Sequence, residues 1–210
     1  MNITKLTEKY ICERPSIKDC LKKKLVNYSS LARKILGEFG LGKNNFDAVL
    51  IACRRYADKL KSSAVQEDCI KEIVKKSKIE ITNKIAVVVV EKSIYFDDLL
   101  KLEKEIKKQK EAFHVIEGSS TMTIVTSEDF LDDIGKLFKD KIVRKNKGLV
   151  EVMIKSPRQI EDTPGVISYL YSLFAERGVN VVEQMSCWTD TLFVIEENDL
   201  VKIIDALKFQ

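Results

Sequence analysis

Apolar residues recur three or four positions apart through the first 78 residues, and short polar turns separate the stretches that carry them. This spacing predicts four amphipathic helices. Ser16 is expected to cap the first, over residues 17–26, and Asn27 or Ser29 to cap the second. The positions predicted to face inward are Ile17, Leu21, Leu25, Leu31, Ile35, Leu36, Phe39, Val49, Leu50, Cys53, Tyr56, Ala57, Leu60, Ile70, Ile73 and Val74.

The hydrophobic period changes after residue 78. Residues 85–90 are an unbroken run of Ile, Ala and Val, which favours a strand covered on both faces over a helix. The order from 84 to 147 is therefore β-α-β-β-α-β. Its later elements are a helix over 96–111, strands over 113–118 and 121–126, a helix over 130–138 and a short strand at Ile142-Val143.

The same order then begins again. The second copy has a strand over 149–155, a helix over 164–177 ended by Gly178, strands over 180–186 and 191–196, and a helix over 199–207. The fold class predicted is α+β, a helical domain followed by two ferredoxin-like units. Because the second unit lacks its own fourth strand, its edge stays open, borrows residues 79–91 or 141–147, or pairs with another chain. We expect at least a homodimer.

Composition and charge narrow the class of protein. The chain has 45% hydrophobic and 32% charged residues, and no apolar run approaches the ~20 residues of a membrane span. Its first residues lack the pattern of a signal peptide, so a cytoplasmic location is expected. The net charge is +8 over residues 1–80, +1 over 81–147 and −5 over 148–210. A basic head indicates a polyanion partner, unless its lysines only solvate helix faces.

Catalytic and metal-binding patterns are absent from the sequence. The five cysteines form no CxxC pair and are expected to be core thiols. His114 is the single histidine, so no multi-histidine metal site can form, and it is expected to be a plain strand residue. With no Walker loop, GxGxxG or nucleophile–histidine arrangement, we expect no enzyme activity, no cofactor and no metal.

A turn at residues 162–168, Asp-Thr-Pro-Gly-Val-Ile-Ser, begins the first helix of the second copy. Thr163 can cap this helix, Pro164 suits its first position, and Gly165 leaves room for a ligand or a facing subunit. With Asn180 after the helix, this segment resembles the ACT-domain family of small-molecule sensors, particularly the aspartokinase type. The first copy has Ser-Ile-Tyr-Phe-Asp at 93–97 instead of this turn. It therefore resembles a degenerate ACT-like unit.

The resemblance implies an amino acid or similar small acid as the effector, bound where units meet. Free N–H groups of Val166 and Ile167 would receive its carboxylate, and Asp162 its ammonium group. Trp188, in the turn between two strands, is expected to anchor an interface or contact the ligand. The expected ligand-binding residues are Asp162, Thr163, Pro164, Gly165, Val166, Ile167, Asn180, Gln184 and Ser186.

The helical head resembles a helix-turn-helix module, with residues 28–35 as the supporting helix and 45–61 as the recognition helix. The connection between them is longer than the usual turn, and the arginines come late in the second helix. DNA binding and helical docking or dimerisation are therefore both open. The expected phosphate contacts are Arg33, Lys34, Lys43, Arg54 and Arg55.

These features predict three domains, over residues 1–78, 79–147 and 148–210. The function expected is amino-acid sensing by a non-enzymatic transcriptional regulator, similar in architecture to archaeal ACT-domain regulators. Two alternatives stay open: a regulatory subunit that docks on an amino-acid biosynthetic enzyme, and an ACT protein that only dimerises. Salt dependence separates the transcriptional regulator from the docking subunit, because phosphate contacts release counterions and make DNA binding strongly salt-dependent.

Overall fold

In a computed structural model that describes residues 2–60, 64–93 and 96–208, the N-terminal unit has three helices near their predicted positions and one that was not predicted. The chain divides into two units, Met1–Cys69 and Ile70–Gln210. Asn27 caps the third helix, since its side chain accepts a hydrogen bond from the Ser30 N–H at 3.0 Å. The helices are α1 (Ile3–Cys12), α2 (Pro15–Lys22), α3 (Tyr28–Glu38) and α4 (Phe46–Leu60).

The first predicted helix is shorter than expected. Lys24 adopts a positive φ of 57°, and the Leu25 N–H bonds to the Cys20 carbonyl at 2.9 Å, which closes the end of α2. Leu25 therefore lies outside the helix and is 73% exposed, so its predicted inward position is wrong. The α1 helix was not predicted from the sequence, although its Tyr10 and Ile11 are fully buried.

The C-terminal unit is built on one antiparallel sheet. Its strand order is β2-β3-β1-β4-β6-β5. The strands are β1 (Lys78–Glu91), β2 (Phe113–Glu117), β3 (Thr121–Ser127), β4 (Ile142–Lys155), β5 (Val181–Cys187) and β6 (Asp190–Glu196). The remaining helices are α5 (Ala64–Lys76), α6 (Phe96–Lys108), α7 (Leu131–Leu137), α8 (Val166–Glu176) and α9 (Leu200–Lys208).

Two long strands join the ferredoxin-like units. The short strand predicted at Ile142-Val143 and the one predicted over 149–155 are a single strand, β4. The first part of β1 pairs with the last part of β4, from Lys78 opposite Lys155 to Thr82 opposite Glu151. This part of β1 fills the fourth-strand position of the second unit, so the missing strand is borrowed within the chain and requires no second copy.

Apolar side chains cover both faces of the sheet. Val88, Val90 and Ile124 pack against α6 and α7, while Val150, Val152 and Phe193 pack against α5, α8 and α9. Because side chains alternate along a strand, the opposite face carries a separate cluster. That cluster, the second-face cluster, contains Ile85, Val87, Val125, Leu149, Leu192 and Val194.

The prediction that the cysteines are core thiols is correct for one of the five and wrong for four. Cys53 is fully buried in the N-terminal unit, whereas the other four cysteines are exposed. Burial raises the pKa of the Cys53 thiol to about 11, because the thiolate would lose its hydration. Cys53 therefore behaves as a small apolar residue at neutral pH.

Candidate functional site

A Pro-Gly turn (residues 163–166) links the loop after β4 to the first residue of α8. Arg158–Asp162 form a short 3-10 helix in this loop, and Pro164 follows it. Gly165 has φ +100° and ψ −9°, close to the values for the third residue of a type II turn, where proline is common one residue earlier. A residue with a side chain would be strained there, which explains the glycine.

The start of α8 differs from its predicted form. Thr163 does not cap the helix, because its hydroxyl donates to the Gln159 carbonyl at 2.7 Å instead. Pro164 lies in the turn rather than at the first helical position, and Gly165 is the N-cap residue without a side-chain hydrogen bond. The first N–H groups of α8, at Val166 and Ile167, thus have no capping side chain.

The β5–β6 hairpin holds the loop that leads to the Pro-Gly turn. Trp188 has a positive φ of 53° and is 64% exposed, and its indole N–H donates to the Glu161 carboxylate. The Arg158 guanidinium lies 5.0 Å from the indole centroid. A backbone hydrogen bond of 2.9 Å joins Ser156 to Thr189. Glu161 and Arg158 were not identified from the sequence, which offers no signal for a contact across these loops.

The space beside Gly165 is occupied by α5. A Cβ atom placed on Gly165 would lie 3.1 Å from Cδ1 of Ile70, which is 8% exposed. The missing side chain was expected to leave room for a ligand or a facing subunit. In the described chain, this side of the turn instead meets a helix of the same unit.

The predicted strand residues do not all reach the turn. Ser186 pairs with Thr191 near the end of β5 that adjoins the loop after β4, because Cys187 pairs with Asp190, the partner of Lys155. Asn180 lies beyond the opposite end of β5, about 20 Å from Ser186 along the strand. Asn180 is therefore not part of the same site within one unit, and Gln184 lies between the two ends.

Charges at the base of the loop are paired. Lys155, the last residue of β4, forms an ion pair of 2.6 Å with Glu80 of β1. The hydrogen bond that Lys155 donates to the Glu80 carboxylate raises the pKa of Lys155, so the ammonium group stays charged. Asp162 is exposed beside the turn. The counterpart segment of the first unit, residues 93–97, lies partly outside the described residues.

The cationic residues predicted in the N-terminal unit are all on its surface. The connection between α3 and α4 spans residues 39–45 and contains a 3-10 turn at Lys43–Asn45, so it is longer than a helix-turn-helix turn. Arg54 and Arg55 are exposed near the middle of α4, and the Arg33 guanidinium lies 5.8 Å from the Phe46 ring centroid. Lys34 and Lys43 are exposed as well.

Within residues 2–60, 64–93 and 96–208, no group of three or more acidic, cysteine or histidine side chains is arranged to hold a metal ion. Over the same residues, none of the helices has both the length and the apolar character needed to cross a membrane.

No protein-family model and no curated protein sequence matches the chain. Solved structures do resemble it. The aspartate kinase of Clostridium acetobutylicum aligns with 16% identity and a TM-score of 0.51 over 61% of this chain and 33% of the enzyme. The regulatory subunit of aspartate kinase from Thermus flavus aligns with 13% identity and a TM-score of 0.50 over 62% of this chain and 95% of the subunit.

These similarities establish a fold. The α+β architecture of this chain, with its antiparallel sheet, is the ACT-like fold that the Pro-Gly motif implied. The chain spans one third of the length of the Clostridium enzyme, so the comparison extends to a part of that protein only.

Proposed function

We propose that the chain is a non-enzymatic regulatory protein that binds an amino acid or a similar small acid at the Pro-Gly turn. The observation that carries the proposal is the left-handed Gly165, which leads into a helix without a capping side chain. The first N–H groups of α8 then carry the positive end of the helix dipole. The turn thus offers the donors that a small carboxylate requires.

The proposed ligand contacts follow from this geometry. The N–H groups of Val166 and Ile167 receive the carboxylate of the effector, and Asp162 receives its ammonium group. Gly165, Thr163 and Pro164 shape the turn, while Ser186 lies at the same end of the sheet. Asn180 contributes only if a second unit brings its β5 to the turn.

The shared fold supports a regulatory role in this proposal. One of the similar structures is a regulatory subunit of aspartate kinase, and it is matched over 95% of its length. The likeness to the Clostridium enzyme covers only a third of that protein. We therefore infer regulation by a small acid, with no kinase activity in this chain.

A thermal-shift screen of the twenty amino acids against the full chain tests the proposal. A ligand at 100 times its dissociation constant adds about 2.7 kcal/mol to the free energy of unfolding, which raises the melting temperature measurably. At least one amino acid should raise it. If none does at millimolar concentration, the proposed effector class is wrong.

For the N-terminal unit we propose DNA binding, which would make the protein a ligand-responsive transcriptional regulator. The supporting observation is charge: residues 1–69 carry 14 Lys and Arg against 8 Asp and Glu, a balance of +6, and Arg54 and Arg55 are exposed on one helix. Phosphates bind such surfaces, with a steep dependence on salt. Docking on a biosynthetic enzyme is the alternative, and it predicts a weak dependence on salt.

We also propose that the protein is a homo-oligomer. β2 and β5 are the outer strands of the described sheet, and such edges can pair with another copy. Light scattering gives the test, since a mass of 24.0 kDa at micromolar concentration would identify a monomer. An oligomer that binds no amino acid would favour the ACT protein that only dimerises.

A further inference from the structure

The α5 helix contacts both ends of the loop that carries the Pro-Gly turn. At one end, the hydroxyl oxygens of Ser77, directly after α5, and Ser156 lie 3.1 Å apart, within hydrogen-bonding distance. At the other end, Ile70 Cδ1 lies 3.1 Å from the position of a Cβ on Gly165. These two contacts are about 10 Å apart along the helix direction. A change in the loop therefore reaches α5 at two points.

The interior of this region leaves Ile70 little freedom. Ile70, Ile73 and Val74 are each at most 8% exposed and belong to one core cluster with Val166 and Leu170 of α8. Protein cores are close-packed, so a side chain there moves only when its neighbours move. The Ser77 hydroxyl also donates to the Ile73 carbonyl at 2.8 Å, which fixes the end of the helix.

The α5 helix connects the N-terminal unit to the first strand of the C-terminal sheet along the chain. The helix begins at Ala64, and the residues before Ile70 belong to the N-terminal unit. Its last residues are followed at once by β1, the strand shared by both ferredoxin-like units. The contact between Ile70 and Gly165 therefore lies within the C-terminal unit, on a helix that leads directly into β1.

We propose that α5 is the output element of the effector site. Effector bound at the Pro-Gly turn and Ile70 seated beside Gly165 influence each other, so binding changes how firmly α5 is docked. This inference rests on the proposed function for its ligand. Coupling of this kind is reciprocal, because α5 must then alter the affinity of the turn by the same factor.

A first experiment tests the coupling without any ligand. Gly165→Ala places a methyl group against Ile70, while Gly178→Ala at the other end of α8 imposes similar backbone strain, at φ +65°, with no atom within 4 Å. Hydrogen exchange of the full chain is followed by mass spectrometry over residues 70–76. Exchange there should rise about tenfold in Gly165→Ala and stay within about twofold in Gly178→Ala.

Ile70→Val supplies the matched rescue, since it removes the Cδ1 atom that meets the new methyl group. The double variant Gly165→Ala/Ile70→Val should exchange within about threefold of Ile70→Val alone. Ile203→Val, a fully buried isoleucine of the same cluster on α9, should give no rescue. Equal effects of Ile70→Val and Ile203→Val would overturn the proposal. If Gly165→Ala does not fold, exchange at residues 166–169 is compared in Ile70→Val and Ile203→Val. Faster exchange in Ile70→Val supports the proposal, and equal exchange overturns it.

A second experiment separates this inference from the function on which it rests. Wild-type protein is measured with and without an equimolar mixture of the twenty amino acids, by thermal shift and by exchange over residues 70–76. A raised melting temperature with changed exchange at α5 supports both proposals. A raised melting temperature with unchanged exchange at α5 overturns the output element alone. No rise overturns the proposed function and the regulatory role of α5 together.

Discussion

The Nε2 atom of His114 lies 3.2 Å from the Oε2 atom of Glu151 and joins β2 to β4 on the sheet face that carries the second-face cluster. Glu151 is 4% exposed, and its Oε2 accepts no hydrogen bond from the described residues. The separation suits an ion pair, although the direction of the imidazole N–H does not complete a hydrogen bond. His114 is therefore more than a plain strand residue, since it is the polar neighbour of a buried carboxyl group.

Replacing His114 should destabilise the protein. His114→Ala leaves the Glu151 carboxyl buried beside apolar side chains, and we expect a loss of about 2 kcal/mol in the free energy of unfolding. Glu117→Ala on the same strand is the control, because its ion pair with Lys92 is exposed and contributes less than about 1 kcal/mol. Urea denaturation of both variants gives the comparison.

The pairing makes a second prediction about the same site. His114→Ala/Glu151→Leu should be more stable than His114→Ala alone, because removing both polar partners leaves no buried carboxyl group. Equal losses for His114→Ala and Glu117→Ala would mean that the contact contributes nothing to stability.

The single buried thiol should be distinguishable from the others by reactivity. Burial raises the pKa of Cys53 to about 11, so at pH 8 its thiol stays protonated and unreactive. Cys12, Cys20, Cys69 and Cys187 are exposed. A thiol reagent at pH 8 should modify these four quickly and Cys53 only after denaturation. A variant in which the four exposed cysteines are replaced by serine retains Cys53 as its single thiol. Rapid modification of Cys53 in this folded variant would contradict its burial.

Periodicity predicted most of the architecture. The spacing of apolar residues located α3, α4 and α6 to within a few residues, and Ile70, Ile73 and Val74 are buried as expected. These predictions depend on local patterns, which a single element carries. The ACT-like fold followed because several such elements recurred in one order.

The two long strands could not be predicted in the same way. Residues 144–148 of β4 are mostly polar, so hydrophobicity alone divided the strand in two. Positive φ values at Lys84 and Gly148 mark the irregular part of the β1–β4 pairing, where register shifts keep both strands in one sheet. Pairing between distant segments depends on tertiary contacts that local sequence does not record.

The candidate site was only partly predictable for a similar reason. The Pro-Gly turn has a sequence signature, because a type II turn requires glycine at its third residue. The contacts that surround it, from Ile70 and from Trp188, join segments far apart in the chain. The resemblance grouped Asn180 with the turn across an interface between units, and within one unit Asn180 lies before the end of β5 opposite Ser186.

Arg54 and Arg55 test the proposed DNA contact. Arg54→Ala/Arg55→Ala should weaken binding to DNA of any sequence, because phosphate contacts carry no sequence information. Each lost contact should flatten the plot of log affinity against log salt by about 0.9. Lys101→Ala/Lys104→Ala in the C-terminal unit removes the same charge and should leave the slope unchanged. No binding by the wild type at low salt would favour docking on a protein.

Trp188, the single tryptophan, should report on the loop before the Pro-Gly turn. Its indole N–H donates to Glu161, so an amino acid that reorganises the loop should change the fluorescence of Trp188. Glu161→Ala removes this connection and should abolish most of the change, whereas Glu176→Ala at the far end of α8 should preserve it. An unchanged response in Glu161→Ala would show that the loop and the indole move independently.

Gly165→Asp is a poor test of the effector site. Aspartate there would be strained at φ +100° and would press against Ile70, so a loss of binding could follow from loss of folding. Ile167→Pro is cleaner, because proline is tolerated in the first turn of a helix and removes one N–H group. Ile167→Ala keeps that N–H group while removing the side chain, and serves as its matched control.

Calorimetry on these two variants, with the amino acid that gives the largest thermal shift, tests the central claim most directly. Losing one charge-assisted hydrogen bond costs about 1.5 to 3 kcal/mol, which is roughly a ten- to hundredfold loss of affinity. We predict that loss in Ile167→Pro and a near-normal affinity in Ile167→Ala. Equal affinities in two equally folded variants would contradict binding of the effector carboxylate at the start of α8.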